Sequence, residues 1–371
     1  MNKNSSKRIL IIAVVILAAV ILGMVLIRDR GEVETDVTAD TTKVGLVISG
    51  AKDDSNYCQT HYDALMRIKD ELNLEIVCRE HTPEEEEQYT RAIEELIGDE
   101  GCRIIIAASF GYHLAEIAAK YPEVCFIHIF GSEVLSNLSS PSGRMYQARY
   151  LSGIAAAKRS QTGKIGYVAA FPNSEVICQI NAFALGAGSV TPETEVFVRY
   201  CGSWVDNDAA RAAAEELLLR QPDIDVFSMH TNSLEPNRVA EETGIWSVGF
   251  NYDNRELFPK SYLTACEWKW DPYYREAILS YLQGKFSGEI TWFDMDSGIL
   301  GLSELTENAA SGTKEAVDEA TKRFNSGSFD VFYGPVTDNQ GVRRVEEGEA
   351  MPDDEILHGF DWYVEGVKVE E

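Results

Sequence analysis

Basic residues are scarce in this chain: 33 lysines and arginines stand against 60 aspartates and glutamates, a formal net charge of −27 over 371 residues. Nucleic-acid binding requires Lys and Arg to neutralise phosphates, so a polyanionic partner is not expected. The same balance disfavours lying flat on an anionic lipid surface. Solubility suffices to explain the excess acid. The seven cysteines (Cys58, Cys78, Cys102, Cys125, Cys178, Cys201, Cys266) form no CxxC pair and have no His-rich spacing around them. The common zinc and thiol–disulfide patterns are therefore excluded, and neither a metal site nor a cofactor is expected. Most of these thiols sit in apolar runs such as Val124-Cys125-Phe126, where they act as small buried hydrophobes. In an exported protein, an odd and dispersed set suggests a reducing or oxygen-poor habitat, with one disulfide left open. GxSxG, HExxH and P-loop motifs are missing, and Gly45 and Gly50 do not make GxGxxG. Asp53-Asp54 is an acidic pair without a third group to divide acid and base roles. No catalytic residue is proposed, and an enzyme is not expected.

What is present begins with Lys3, Lys7 and Arg8, followed by nineteen apolar residues from Ile9 to Ile27 and then Arg28. A helix rising about 1.5 Å per residue would span most of a hydrocarbon core with that run. The basic residues ahead of it place residues 1–8 in the cytoplasm and the remainder outside the cell. No cysteine precedes Cys58, so the usual lipid-attachment site is missing. The expectation is a single-pass anchor at the cell membrane, with a cleaved signal peptide as the open alternative. Residues 28–42 are polar and acidic and read as a linker.

From Lys43 onward, short β-branched runs alternate with amphipathic stretches. Val44–Ile48, Leu74–Cys78, Ile104–Ala108 and Cys125–Ile129 read as strands, with helices over Tyr57–Leu72, from Pro83, and over His113–Tyr121. A second series follows. Helices are expected over Gln147–Ser160, Ser174–Leu185 and Asp208–Arg220. Strands are expected over Lys164–Ala170, Glu195–Tyr200, Asp225–Met229 and Ile245–Phe250. Continuous apolar strands between helices indicate parallel sheets covered on both faces, here two doubly wound α/β lobes. Ligands in such sheets bind beyond the carboxyl ends of the strands.

Loops at those ends are rich in aromatic and amide groups: Asp53–Gln59, Ser109–His113, Phe171–Asn173, Gly202–Trp204, His230–Ser233 and Asn251–Asp253. A flat heteroaromatic ligand needs two π-faces and a few donors and acceptors at its edge. Tyr57 and Trp204 would supply the faces. Taken singly, each such residue has a plainer role: an aromatic lid over the core, a turn, or a helix cap such as Asn207 or Asp208. His230 reads as hydrogen-bonded structure. Recurrence in both series is what favours binding.

At these residues the chain resembles the basic membrane protein family of type I solute-binding proteins, which includes purine nucleoside receptors. Asp53-Asp54-Ser55-Asn56-Tyr57-Cys58-Gln59 is similar to its DDKSFNQ segment, and Thr162–Val168 to TGKIGFV. Gly202-Ser203-Trp204-x-Asp206 is similar to GSFxD, and Val248–Asp253 to IGxDxD. A narrower branch also shares Ser109–Tyr112, Ile180–Phe183, His230-Thr231 and Trp268-x-Trp270-x-Pro272-Tyr273-Tyr274. The resemblance covers residues 43 to about 325.

It implies a type I periplasmic-binding-protein clamshell: two Rossmann-like lobes joined by a hinge. Lobe 1 would hold residues 43–143 plus about 272–300, and lobe 2 residues 144–271. A segment from about 301 to 371 would pack mainly on lobe 2, and the residues of its tail, Phe329–Glu371, read as a small β appendage there. It also implies a ligand-capturing subunit of an ABC importer, with permease and ATPase partners. In the nucleoside receptors a lysine reaching the ribose would fall near Trp268, and an acid at Leu114. Their replacement puts ribose recognition in doubt and favours a free, adenine-like purine base, so the expected ligand is a purine base or a nucleoside. The expected site has Tyr57 and Trp204 stacking and Asn181, Asn232 and Asp253 at the ring edge, with Gln59, Glu175, Phe110 and Trp268 beside them. A membrane-tethered sensor acting through a partner is the rival expectation.

Overall fold

The computed structural model describes residues 41–370. The expected span Ile9–Ile27 lies outside them, and among the described residues no helix is long and apolar enough to cross a membrane. In the first part of the chain, strands and helices alternate as β1 (Thr42–Ile48), α1 (Tyr57–Ile68), β2 (Leu74–Arg79), α2 (Glu86–Gly98), β3 (Ile104–Ala108), α3 (Ala115–Lys120), β4 (Cys125–Ile129) and β5 (Leu138–Gly143). The second run is α4 (Met145–Arg159), β6 (Lys164–Ala169), α5 (Ser174–Gly188), β7 (Glu195–Tyr200), α6 (Asn207–Arg220), β8 (Val226–His230), α7 (Glu235–Thr243), β9 (Trp246–Asn251) and β10 (Tyr262–Trp268). After it come α8 (Asp271–Leu282), β11 (Ile290–Phe293), β12 (Leu300–Leu302), α9 (Thr313–Asn325), β13 (Val336–Thr337), β14 (Arg343–Val345), α10 (Asp353–His358) and β15 (Val367–Val369).

Among the described residues the strands build a two-stranded pair, β13-β14, and two large sheets. One runs β11-β5-β4-β3-β1-β2, with every pairing parallel. The other runs β12-β10-β9-β8-β6-β7-β15 and is parallel except for β10 with β12. Every residue of β3, β4 and β8 is buried, as strands covered on both faces require. The chain passes between the sheets after β5, after β10 and again between β11 and β12. Strand order reverses between β1 and β3 in one sheet and between β6 and β8 in the other. Beyond the carboxyl ends at such points lie the crevices where α/β sheets bind ligands.

Helices α4 and α5 meet through two glycines. A Cβ at Gly153 would collide with the Phe183 carbonyl, and one at Gly186 with the Tyr150 carbonyl. The close approach brings Arg149 on α4 within reach of Gln179 on α5.

Some local expectations differ from the structure. Helix α2 starts at Glu86, not Pro83, because the Glu84 carboxylate accepts hydrogen bonds from Ser109 Oγ and the Gly111 N–H and holds that stretch outside the helix. The cap of α6 is Asp206, which accepts the Ala209 N–H at 3.0 Å; Asn207 instead accepts from Ser233 Oγ at 2.8 Å. In the tail, β13 and β14 form an antiparallel pair, while β15 extends the second sheet beside β7.

Candidate functional site

Each sheet carries a group of aromatic rings at its carboxyl ends. In the first group, Phe110 follows β3 and stacks on Phe130, which follows β4, with ring centroids 4.7 Å apart and planes 3° from parallel. Tyr57, the first residue of α1, lies 6.3 Å from Phe130 at 25°. Trp268, the last residue of β10, meets Phe130 edge-on at 5.2 Å and stacks on Trp270 at 5.1 Å. Phe110 is 60% exposed whereas Trp268 is 6% exposed, so the ring free to meet an incoming molecule is Phe110 and the ring beneath is Trp268. Phe130 holds φ at +61°, a conformation costly for a bulky residue and characteristic of sites where strain serves function.

The second group lies at the ends of β6, β7 and β8. Trp204 meets His230 at 5.6 Å and Phe171 at 6.1 Å, both edge-on, and His230 packs edge-on against Phe250 at 4.5 Å. The Trp204 carbonyl accepts the Asn232 N–H and Thr231 Oγ1, both at 2.8 Å, which ties the two loops together. Beside these rings is Glu175, in the first turn of α5, with its carboxylate 3.7 Å from His230 Nε2. Gln179 donates to Glu175 Oε1 and accepts from Arg149 Nε at 2.9 Å. Although 45% of the Glu175 side-chain surface stays in contact with solvent, desolvation between the packed elements pushes its carboxyl up, to about 7, against the opposing pull of the Arg149 charge and the Gln179 N–H. Burial also pushes His230 well below its ordinary value, so its imidazole is neutral.

Between the groups runs a set of amides joining the lobes. Asn251 Nδ2 donates to Asn56 Oδ1 at 2.6 Å and to Asn232 Oδ1 at 3.1 Å, and Asn56 Nδ2 donates to the Asn232 carbonyl at 2.8 Å. Asn254 Nδ2 donates to the Ser55 carbonyl at 2.9 Å. Gln59 Nε2 donates to the Tyr252 hydroxyl at 3.1 Å, and that hydroxyl donates to Asp63 at 2.9 Å.

The nine expected site residues therefore fall into different places. Tyr57, Phe110 and Trp268 share the first aromatic group, and Trp204 and Glu175 the second. The Asn232 carbonyl accepts from Asn56 across the lobes while its Oδ1 accepts from Asn251 beside it, and Gln59 accepts the Ser55 N–H and donates to Asp63 and to the Tyr252 hydroxyl. Asp253 pairs with Arg255 at 2.6 Å and lines a cavity of about 360 Å³ together with Trp268 and Lys269. Asn181 is a correction. It is fully buried in α5, donating to the Trp362 carbonyl and accepting the Val364 N–H, each at 2.9 Å. Its amide is used in holding the C-terminal segment, because both of its functions match one peptide edge of that segment. A larger cavity of about 810 Å³, between Asp253, Lys269 and Lys314, is lined by none of the aromatic residues named above.

Phe130, Phe171, Asn56 and Asn251 were not among the expected site residues. An aromatic directly after an all-buried strand and before Gly131 was the available signal for Phe130. Nothing in the sequence signals that Asn56 and Asn251 meet.

The α/β fold with its parallel sheets agrees with the comparisons to known proteins. The family model described as ABC transporter substrate-binding protein, PnrA-like, matches residues 41–328. This chain belongs to that family. A purine-binding protein of Brucella abortus is 32% identical over 329 residues, 88% of this chain and 92% of the relative. A Haloferax volcanii protein named as an ABC transporter glucose-binding protein is 32% identical over 269 residues, 72% of this chain and 66% of its own length. Among solved structures, a solute-binding protein from Conexibacter woesei superposes with a TM-score of 0.68 at 16% identity, covering 78% of this chain and 98% of that one. The α/β fold is thus that of the periplasmic solute-binding proteins, a family of binders rather than enzymes.

Proposed function

We propose that this PnrA-like chain captures a free purine base between its two lobes, outside the cell, and presents it to the permease and ATPase of an ABC importer. The observation that carries this reading is the pair of aromatic groups, one at the carboxyl ends of each sheet. Rings from opposing lobes suit a flat π-system, and the purine-binding name of the Brucella relative supports that ligand class. Phe110 and Tyr57 would line one face and Trp204 the other. Trp268 fills the floor with a buried indole, which favours a base over a nucleoside. The apolar run Ile9–Ile27 would tether the receptor to the membrane, and closure around the ligand would be a hinge motion.

A sugar is the second reading, favoured by the name of the Haloferax relative. Thermal melting of the protein with purine bases, nucleosides, pyrimidines, sugars and amino acids separates the two. A ligand at 100 times its dissociation constant stabilises the folded state by about 2.7 kcal/mol. Stabilisation by purine bases supports the proposal. A panel in which sugars alone raise the melting temperature refutes it.

A further inference from the structure

The geometry points to Glu175 as the residue that selects the ligand, accepting an N–H from the exocyclic amine of a 6-aminopurine through its Oε2 oxygen. The inference rests on the purine reading above and deepens it. Among the residues expected to read a ring edge, the acceptor oxygens are already engaged: Asn181 by the C-terminal segment, Asn232 Oδ1 by Asn251, Gln59 Oε1 by the Ser55 N–H and Asp253 by Arg255. Glu175 differs. Its side chain is 45% exposed, it stands beside the Trp204–His230 pair, and only its Oε1 takes a short hydrogen bond from a neighbour.

Its orientation is determined two residues away. Arg149 is fully buried and can only donate, and its Nε points at Gln179 Oε1. That fixes the Gln179 amide with its oxygen toward Arg149 and its NH2 toward Glu175. The Gln179 NH2 therefore occupies Oε1, leaving Oε2 as the atom presented beside the rings. The Arg149 cation, reaching Glu175 through Gln179, favours the carboxylate form. An amine N–H donated to that carboxylate would be charge-assisted and so stronger than a neutral hydrogen bond. Gln179 and Arg149 act as positioning residues.

The same relay makes the test sharp. In Glu175→Gln the new amide oxygen would take the fixed Gln179 N–H, so an NH2 would face the ligand where an acceptor stood. Titration calorimetry of wild type and E175Q with adenine and with 6-methylpurine, which keeps the shape but lacks the donor, reads the effect. Wild type should prefer adenine by roughly 10- to 100-fold, the worth of one hydrogen bond to a charged group, and E175Q should lose that preference while melting as wild type does. Gln179→Ala, which frees the carboxylate to rotate, should reduce the preference without removing the binding of 6-methylpurine. If wild type binds purines and E175Q keeps the adenine preference, the inference falls and the purine reading stands. If wild type binds neither compound, the purine reading itself fails and takes the inference with it.

Discussion

Asn251 Nδ2 and Asn56 Oδ1 lie 2.6 Å apart, 195 positions distant in sequence, and their hydrogen bond joins the end of β9 in one lobe to the start of α1 in the other. Both side chains are buried, at 2% and 0% exposure, so neither can trade its partner for water. Asn251 also holds φ at +66°, which asparagine tolerates far better than most residues. Local conformation, burial and connection between lobes are thus satisfied by one residue type.

Asn251→Asp keeps the backbone preference but sets a carboxylate against Asn56 Oδ1 and Asn232 Oδ1. The loss of both donated bonds should cost about 1–3 kcal/mol. Chemical denaturation should show the lower midpoint, and small-angle scattering should show a larger radius of gyration as the lobes part. An unchanged scattering profile would mean that the amides do not hold closure.

Asn181→Ala separates structure from binding. Two polar groups of the C-terminal segment, the Trp362 carbonyl and the Val364 N–H, would lose their partner, a cost of about 1–3 kcal/mol each where they are buried. The expected result is earlier proteolytic release of residues near the C-terminus, with ligand affinity unchanged. A large loss of affinity with normal stability would return Asn181 to the ring edge.

The two tryptophans should behave differently. Trp204 is half-buried at a loop, so Trp204→Ala should weaken ligand binding by about 0.5–1.5 kcal/mol or more while leaving the fold nearly as stable. Trp268 is 6% exposed and packed on Trp270 and Phe130, so Trp268→Ala should cost roughly 3–5 kcal/mol of stability. Unfolding curves and calorimetric affinities on both variants check the contrast.

Binding should depend on pH through Glu175. Burial raises its carboxyl to about 7, so the proton is held more tightly in the folded protein than in the unfolded chain. The ligand-free protein therefore gains stability from this group at low pH and loses it as pH rises through about 7. Affinity for a ligand donating N–H to the carboxylate runs the other way, increasing from pH 6 to 8. Of the groups around it, His230 stays neutral, Tyr167 and Cys178 stay protonated because burial raises both, and Gln179 does not titrate. Affinity measured across that range should rise for wild type and stay flat for E175Q.

Much of the architecture was legible in the sequence because buried parallel strands such as Ile104–Ala108 and Cys125–Ile129 read as unbroken apolar runs. Strand β5 was not, since Leu138-Ser139-Ser140-Pro141-Ser142-Gly143 has no such run and is made a strand by its neighbours β4 and β11. Helix α7 was missed because Glu235–Thr243 is short and mostly polar, although Pro236, Val239 and Ala240 stand at helical spacing and are buried. The aromatic loops were placed correctly at strand ends, because position beyond a strand is a local property. The fate of each amide was not local. Asn181 looks like any polar residue on an apolar helix until Trp362 is brought against it, and Gln59 until Tyr252 is.

The most direct test of purine-base capture is titration calorimetry of the protein with adenine, adenosine and glucose. Purine-base capture predicts saturable binding of adenine, with weaker binding of adenosine if the buried Trp268 indole occupies the space a ribose needs, and no heat from glucose. Adenosine binding more tightly than adenine, or glucose binding in place of both, would contradict it.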